Sequence, residues 1–245
     1  MATFVLVHGA FHGAWCFTKL VTELSARGYR AVAIDLPGGG DDPTPIAEIT
    51  LAGNATAVAG AVRGLPEPVI LLGHSLAGVS ISAAAELVPE RIALLVFLAA
   101  FLPRDGDSVA SISASPASRK ESGPSAFTRA EDGLSFAPIA ERAQAIFYSK
   151  CSDEDAAAAI PRLRPQAYTI PRTVVHLTPE RFGAVPRVYI ECLEDNTVSL
   201  GLQRDMVAKS PCREVVSLPT DHSPFLSAPG LLADVLVRLA EGYAR

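Results

Sequence analysis

VILLGHSLAGVSISAAAEL, residues 69–87, decides the fold. An apolar run at 69–72 reads as a buried strand. It leads into Gly73-His74-Ser75-Leu76-Ala77-Gly78 and then into small residues at helical spacing. A serine held on a sharp strand-to-helix turn projects its Oγ above the sheet edge, and small neighbours permit the close backbone approach that such a turn demands. Ser75 is therefore read as a nucleophile. The usual glycine two places after the serine is Ala77 here, with Gly78 following; a methyl group can be absorbed at that place. The plainer role for Ser75 is a helix N-cap.

The same rhythm extends in both directions. Strand candidates lie at 3–8, 31–36, 92–102, 187–191 and 215–218, and helical stretches at 14–27, 51–63, 76–87, 198–209 and 231–243. The strand runs lack polar alternation, as expected where helices cover both faces of a parallel sheet. The pattern predicts an α/β fold: a doubly wound, mostly parallel sheet of about six strands, residues 1–245 forming one domain. Residues 104–185 break the rhythm and are read as an inserted cap. Its first part, including SASPASRKESGPS at 113–125, is loop-prone and reads as a lid or binding element.

Composition narrows the function. The chain has 245 residues, 49% hydrophobic and 19% charged, with a net charge of −5, which suits one globular domain with a large core. Lys and Arg are scattered, so neither nucleic acid nor an anionic membrane is an expected partner. The longest apolar run, 92–102, is shorter than the ~20 residues of a membrane-spanning helix. No signal-peptide pattern opens the chain, and a cytoplasmic location is expected. Cys16, Cys151, Cys192 and Cys212 are far apart and show no metal-ligand spacing, so free buried thiols are expected. A small molecule is the expected partner, and the sequence leaves the oligomeric state open, a homodimer included.

Ser75 needs a base. Of five histidines, His8 and His12 precede the serine, His74 adjoins it and His176 lies within the insertion. His222 alone follows the last strand candidate, at the sheet edge where such folds build their sites. The acid is sought after the preceding strand, where Glu194 and Asp195 stand. Asp195 is preferred, because Asp221, next to His222 in an extended loop, cannot readily reach that imidazole's Nδ1. Asp195 would fix the imidazole tautomer. Serine, acid and histidine then fall in the chain order known for nucleophiles on such turns. The glycine-bearing turn His8-Gly9-Ala10-Phe11-His12-Gly13 suggests an oxyanion hole formed by the N–H groups of Ala10 and Leu76, each donor being worth about 3 kcal/mol. His8 and His12 are spaced i, i+4, but the glycines oppose a helix there and no HExxH is present, so hydrogen-bonded scaffolding is the expected role and no metal is predicted.

FVLVHGAFHGAWCF, GHSLAGVSIS, LVFLAAFLP, RVYIECLEDNTVSLGLQRDMV and TDHSPFLSAP occur in one order along nearly the whole chain. In these motifs the sequence resembles the α/β-hydrolase family of plant methylesterases, hydroxynitrile lyases and related bacterial esterases. The resemblance implies Ser75, Asp195 and His222 as catalytic residues, Ala10 and Leu76 at the oxyanion hole, Phe101 at a pocket wall, and no cofactor. The lyases typically carry a lysine after the catalytic histidine and a threonine after the first strand's histidine. Ser223 and Gly9 stand there in this chain, so the resemblance favours a small-molecule carboxylesterase over cyanohydrin cleavage. Hydrolysis of a lactone, amide or C–C bond, and a ligand sensor that turns over negligibly, remain the alternatives. Phe127, Phe136, Phe147, Tyr148 and Tyr168 either line an apolar pocket or hold the insertion on the core.

Overall fold

The computed structural model describes residues 2–118 and 125–243. Six parallel strands form the central sheet: β1 (Thr3–Val7), β2 (Arg30–Ile34), β3 (Val69–His74), β4 (Ile92–Leu98), β8 (Arg187–Cys192) and β9 (Glu214–Leu218). Between β4 and β8 a second, antiparallel sheet is built from β5 (Phe127–Arg129), β6 (Ser135–Pro138) and β7 (Gln166–Ala167). The helices are α1 (Thr18–Ala26), α2 (Leu51–Arg63), α3 (Ala77–Leu87), α4 (Val109–Ser113), α5 (Ala140–Phe147), α6 (Asp153–Ala159), α7 (Thr169–Arg172), α8 (Leu200–Lys209), α9 (Pro224–Ser227) and α10 (Pro229–Tyr243).

The uninterrupted apolar strands are explained by two cores, one on each face of the sheet. Val5, Val7, Leu71, Leu95, Phe97 and Tyr189 pack with Val58, Val62, Ile81 and Met206 of α2, α3 and α8. The intervening Phe4, Leu6, Ile70, Leu72, Val96 and Ile190 pack with Leu20, Leu24, Leu236 and Leu239 of α1 and α10. Successive side chains on a strand point to opposite faces, so every position of a strand covered on both sides must be apolar.

The strand order is β2-β1-β3-β4-β8-β9. After β2 the chain crosses back over β1 and then builds outward in the other direction. Between β1 and β3 lies the switch point where doubly wound sheets open a crevice at their carboxyl ends. The loop after β1 carries Ala10, and the turn after β3 carries Ser75.

Two boundaries differ from the sequence reading. The apolar run 92–102 is strand only to Leu98, because Ala99 turns into the left-handed region (φ +44°). Ala99, Ala100 and Leu102 stay buried beside the elbow while Phe101 is half-buried, and Phe101 N–H donates to Ser75 O at 3.0 Å. Hydrophobicity reports burial there and not extension. The stretch 14–27 starts as a tight 3₁₀ turn (Ala14–Phe17) before α1. Of the loop-prone segment 113–125, residues 119–124 lie outside the described residues; the part before them includes the end of α4, where Ala114 N–H donates back to Ala110 O, while the start of that helix is held by a Ser108–Ser111 capping box.

Candidate active site

Ser75 sits in the left-handed region, φ +53°, a conformation that costs a non-glycine residue about 1–3 kcal/mol and persists where its surroundings enforce it. The surroundings here are specific. Ser75 N–H donates to Leu98 O at 3.2 Å, and Ser75 O accepts from Gly78 N at 3.1 Å. A Cβ on Gly78 would lie 2.0 Å from Phe101 O, and one on Gly73 would lie 2.9 Å from Ile81 Cδ1. The glycine displaced from 77 to 78 is therefore the one that the close approach requires, while Ala77 fits buried beside it. Phe101 holds the elbow through its backbone, with its ring half-buried.

His222 and Asp195 are both buried, and Nδ1–H of the imidazole donates to Asp195 Oδ2 at 2.7 Å. The other carboxylate oxygen, Oδ1, accepts from the backbone N–H groups of Thr197 (2.6 Å) and Val198 (2.9 Å). The carboxylate is thus fixed at both ends. Asp221 faces elsewhere and accepts from Ser227 Oγ (2.7 Å), Ser223 N (3.2 Å) and Lys150 N (2.8 Å). His222 is docked beside the elbow by His74. The Nε2–H of His74 donates to His222 O at 2.8 Å, and the two ring centroids are 4.5 Å apart. Ser75 Oγ takes part in no hydrogen bond among the described residues, so its link to His222 is not closed in this structure. Contacts of this kind commonly tighten only with substrate in place.

The loop after β1 lies against the serine. A Cβ on Gly9 would fall 2.8 Å from Ser75 Cβ and 2.9 Å from His74 Nδ1, so Ala10 follows a point of contact that only glycine allows. The N–H groups of Ala10 and Leu76 donate to no other group among the described residues.

His8 and His12 are hydrogen-bonded scaffolding. His8 Nδ1–H donates to Gly9 O (2.8 Å) while its Nε2 accepts from Leu36 N (3.0 Å). His12 Nδ1–H donates to Ala10 O (2.7 Å), and its Nε2 accepts the hydroxyl of Tyr148 (2.7 Å). With both ring nitrogens engaged on protein groups, neither imidazole presents a lone pair to a metal. Burial pushes His8 and His74 below the ordinary histidine range and takes His12 down to about 3. A pH dependence of stability follows. Above the unfolded value of 6.5, folded and unfolded chains are equally unprotonated and these residues contribute no slope. Below it, the unfolded chain takes up protons that the folded chain refuses. Each histidine then removes up to about 1.4 kcal/mol per pH unit, continuing towards pH 3 for His12. Urea midpoints are expected to fall as pH drops from about 6.5 to about 5; a flat profile would show that these rings take up protons as readily in the folded chain as in the unfolded one.

The aromatic side chains of the insertion converge on Phe11, itself in the left-handed region at φ +69°. Phe127, Phe136 and Phe147 lie 5.5, 5.2 and 5.8 Å from its ring, Tyr168 stacks on Phe136 at 4.7 Å, and Phe147 comes within 6.0 Å of His222. These rings attach the insertion to the β1 loop, and one edge of the cluster reaches the imidazole. All four cysteines are free, two of them buried and two half-buried. Burial raises every thiol, Cys212 to about 11, so none is a ready nucleophile.

Three features have no signal in the sequence, because their partners lie far apart along it. His74 holds the histidine loop, as described above. The end of α5 braces both loops: Lys150 Nζ pairs with Glu194 and donates to Pro219 O (3.3 Å), Asn196 Nδ2 donates to Ala145 O (3.0 Å), and Thr197 Oγ1 donates to Ile146 O (2.7 Å). The third is Gln203, a wholly buried amide on α8 beneath the acid loop.

A strained serine at the switch point, with a buried carboxylate–imidazole pair docked against its neighbour, defines a serine-hydrolase type of site. The alpha/beta hydrolase family model matches residues 4–235, and the chain belongs to that family. It is 34% identical over 256 residues to salicylic acid-binding protein 2 of Nicotiana tabacum, covering 98% of this chain and 97% of that protein. It is 32% identical over 252 residues to methylesterase 7 of Arabidopsis thaliana, covering 98% and 97%. The crystal structure of the methylesterase MES16 from Arabidopsis superposes with a TM-score of 0.86 at 28% identity, covering 98% and 99%.

Proposed function

We propose that this protein is a serine carboxylesterase acting on small-molecule esters. The observation that carries the reading is the buried Asp195–His222 pair, seated through His74 beside the left-handed Ser75. The near full-length similarity to proteins named methylesterases supports the same chemistry. Ser75 Oγ attacks the ester carbonyl while His222 Nε2 takes its proton, and Asp195 stabilises the imidazolium that forms. Ala10 N–H and Leu76 N–H receive the oxyanion. His222 then protonates the departing alkoxide. Water, deprotonated by the same imidazole, attacks the acyl-enzyme and releases the acid together with free Ser75. The residues between β4 and β8 act as a cap whose aromatic cluster sets the size of the ester admitted. Ser223, wholly buried after His222, supplies no cation for a cyanide leaving group, which sets cyanohydrin cleavage aside.

The test is covalent labelling with a fluorophosphonate, followed by peptide mapping and steady-state assay of methyl and p-nitrophenyl esters. Phosphonylation is expected on the peptide containing Ser75, with sustained turnover of at least one ester before labelling and none after it. A single burst without further turnover would instead make the protein a ligand sensor.

A further inference from the structure

We infer that Gln203 is a positioning residue for the reaction, holding the carboxylate of Asp195 in line with His222. The inference rests on the reading of Asp195 as the acid of the esterase.

Gln203 is wholly buried on α8, where an uncompensated amide would cost several kcal/mol. Every polar position of its side chain is used. Its Oε1 accepts from Cys192 N at 3.1 Å, and its Nε2 faces Val198 O at 2.7 Å, Cys192 O at 3.1 Å and Asp195 Oδ2 at 3.5 Å. Two N–H protons serve these three acceptors. One goes to Val198 O, the shortest contact, and the other is shared between Cys192 O and the carboxylate. By engaging both backbone groups of Cys192, the amide pairs the last residue of β8, beyond Ile190 where the register with β4 ends. By gripping Val198, it closes the six-residue turn whose own amides, at Thr197 and Val198, hold Asp195 Oδ1. Gln203 therefore touches both ends of the acid loop and the oxygen that receives the His222 proton donor. Asp195, with His222 beyond it, is the ionisable group it faces, apart from the Cys192 thiol, which burial keeps protonated.

Gln203→Leu is expected to lower kcat about 100-fold, the scale of a misplaced catalytic group, with KM changed less than about twofold because ester binding is untouched. The acidic limb of kcat/KM, which reports the imidazole, should move to lower pH as the imidazolium loses its aligned counter-charge. Gln203→Glu keeps the volume and the acceptor for Cys192 N–H. It should retain more activity than Gln203→Leu at low pH and lose it as pH rises and a second carboxylate ionises beside Asp195. A merely structural amide would lower the melting temperature and leave kcat and the pH limb of the folded enzyme unchanged; that result in both variants overturns the inference. Asp195→Asn is the control. If it is inactive while both Gln203 variants behave as wild type, only the role of Gln203 falls; if it is fully active, the acid assignment falls and the inference with it.

Discussion

Ser75→Ala is expected to fold normally and to lose about 10⁴- to 10⁶-fold in kcat on p-nitrophenyl acetate. The loss is large because the covalent step disappears with the hydroxyl. It is not total, because the Ala10 and Leu76 amides and the binding pocket should still hold the carbonyl, leaving about 10³-fold over the uncatalysed rate. Backbone strain supplies a companion measurement. Alanine at residue 75 keeps a side chain in the left-handed region, φ +53°, so its melting temperature should match wild type. Ser75→Gly removes that restriction and should be more stable than Ser75→Ala by about 1 kcal/mol. Wild-type turnover in Ser75→Ala would end the esterase proposal, and equal stability of the two variants would mean that the turn is not strained.

Asp195→Asn should cost about 10⁴-fold in kcat with little change in stability, and the hydrogen-bond pattern says why. Oδ1 is committed to two backbone donors, Thr197 N–H at 2.6 Å and Val198 N–H at 2.9 Å. An asparagine must place its carbonyl oxygen there, since an NH₂ group would meet two donors. The amide nitrogen is then forced to face His222, where Oδ2 now accepts at 2.7 Å. A donor opposite Nδ1 drives the imidazole into the tautomer with its proton on Nε2, which cannot accept the proton of Ser75. Circular dichroism and urea midpoints near wild type, together with the collapse of kcat, would confirm that the tautomer and not the fold was lost. A variant within tenfold of wild type would mean that another carboxylate serves His222.

The fold was legible because the force that builds it, burial of apolar strands on two faces, repeats along the chain. The elbow was legible because a strand, a serine between small residues and a helix of small residues must be contiguous. Gly78 was legible only as a departure; its reason, the Phe101 carbonyl, comes from a later turn. The end of β4 differs for the same reason that its burial is legible, since Ala99, Ala100 and Leu102 stay inside while the backbone stops being a strand. The antiparallel β5–β6–β7 sheet escaped notice because strands of two to four residues are too short to establish a period. Asp195 could be preferred over Asp221 from chain position alone. Gln203 and Lys150 could not be read at all, for a buried amide and a surface lysine acquire their roles only from partners that folding brings to them.

The brace at the end of α5 also bears on how this protein could be re-engineered. Residues 145–150 are tied to the loops bearing Asp195 and His222, so under the proposed mechanism that short stretch supports the catalytic groups, although it lies between β4 and β8. A chimera that imports substrate preference from another hydrolase has a natural crossover before α5. Exchanging the residues upstream of it leaves the machinery on its mount, whereas replacing the whole insertion dismantles the support along with the specificity.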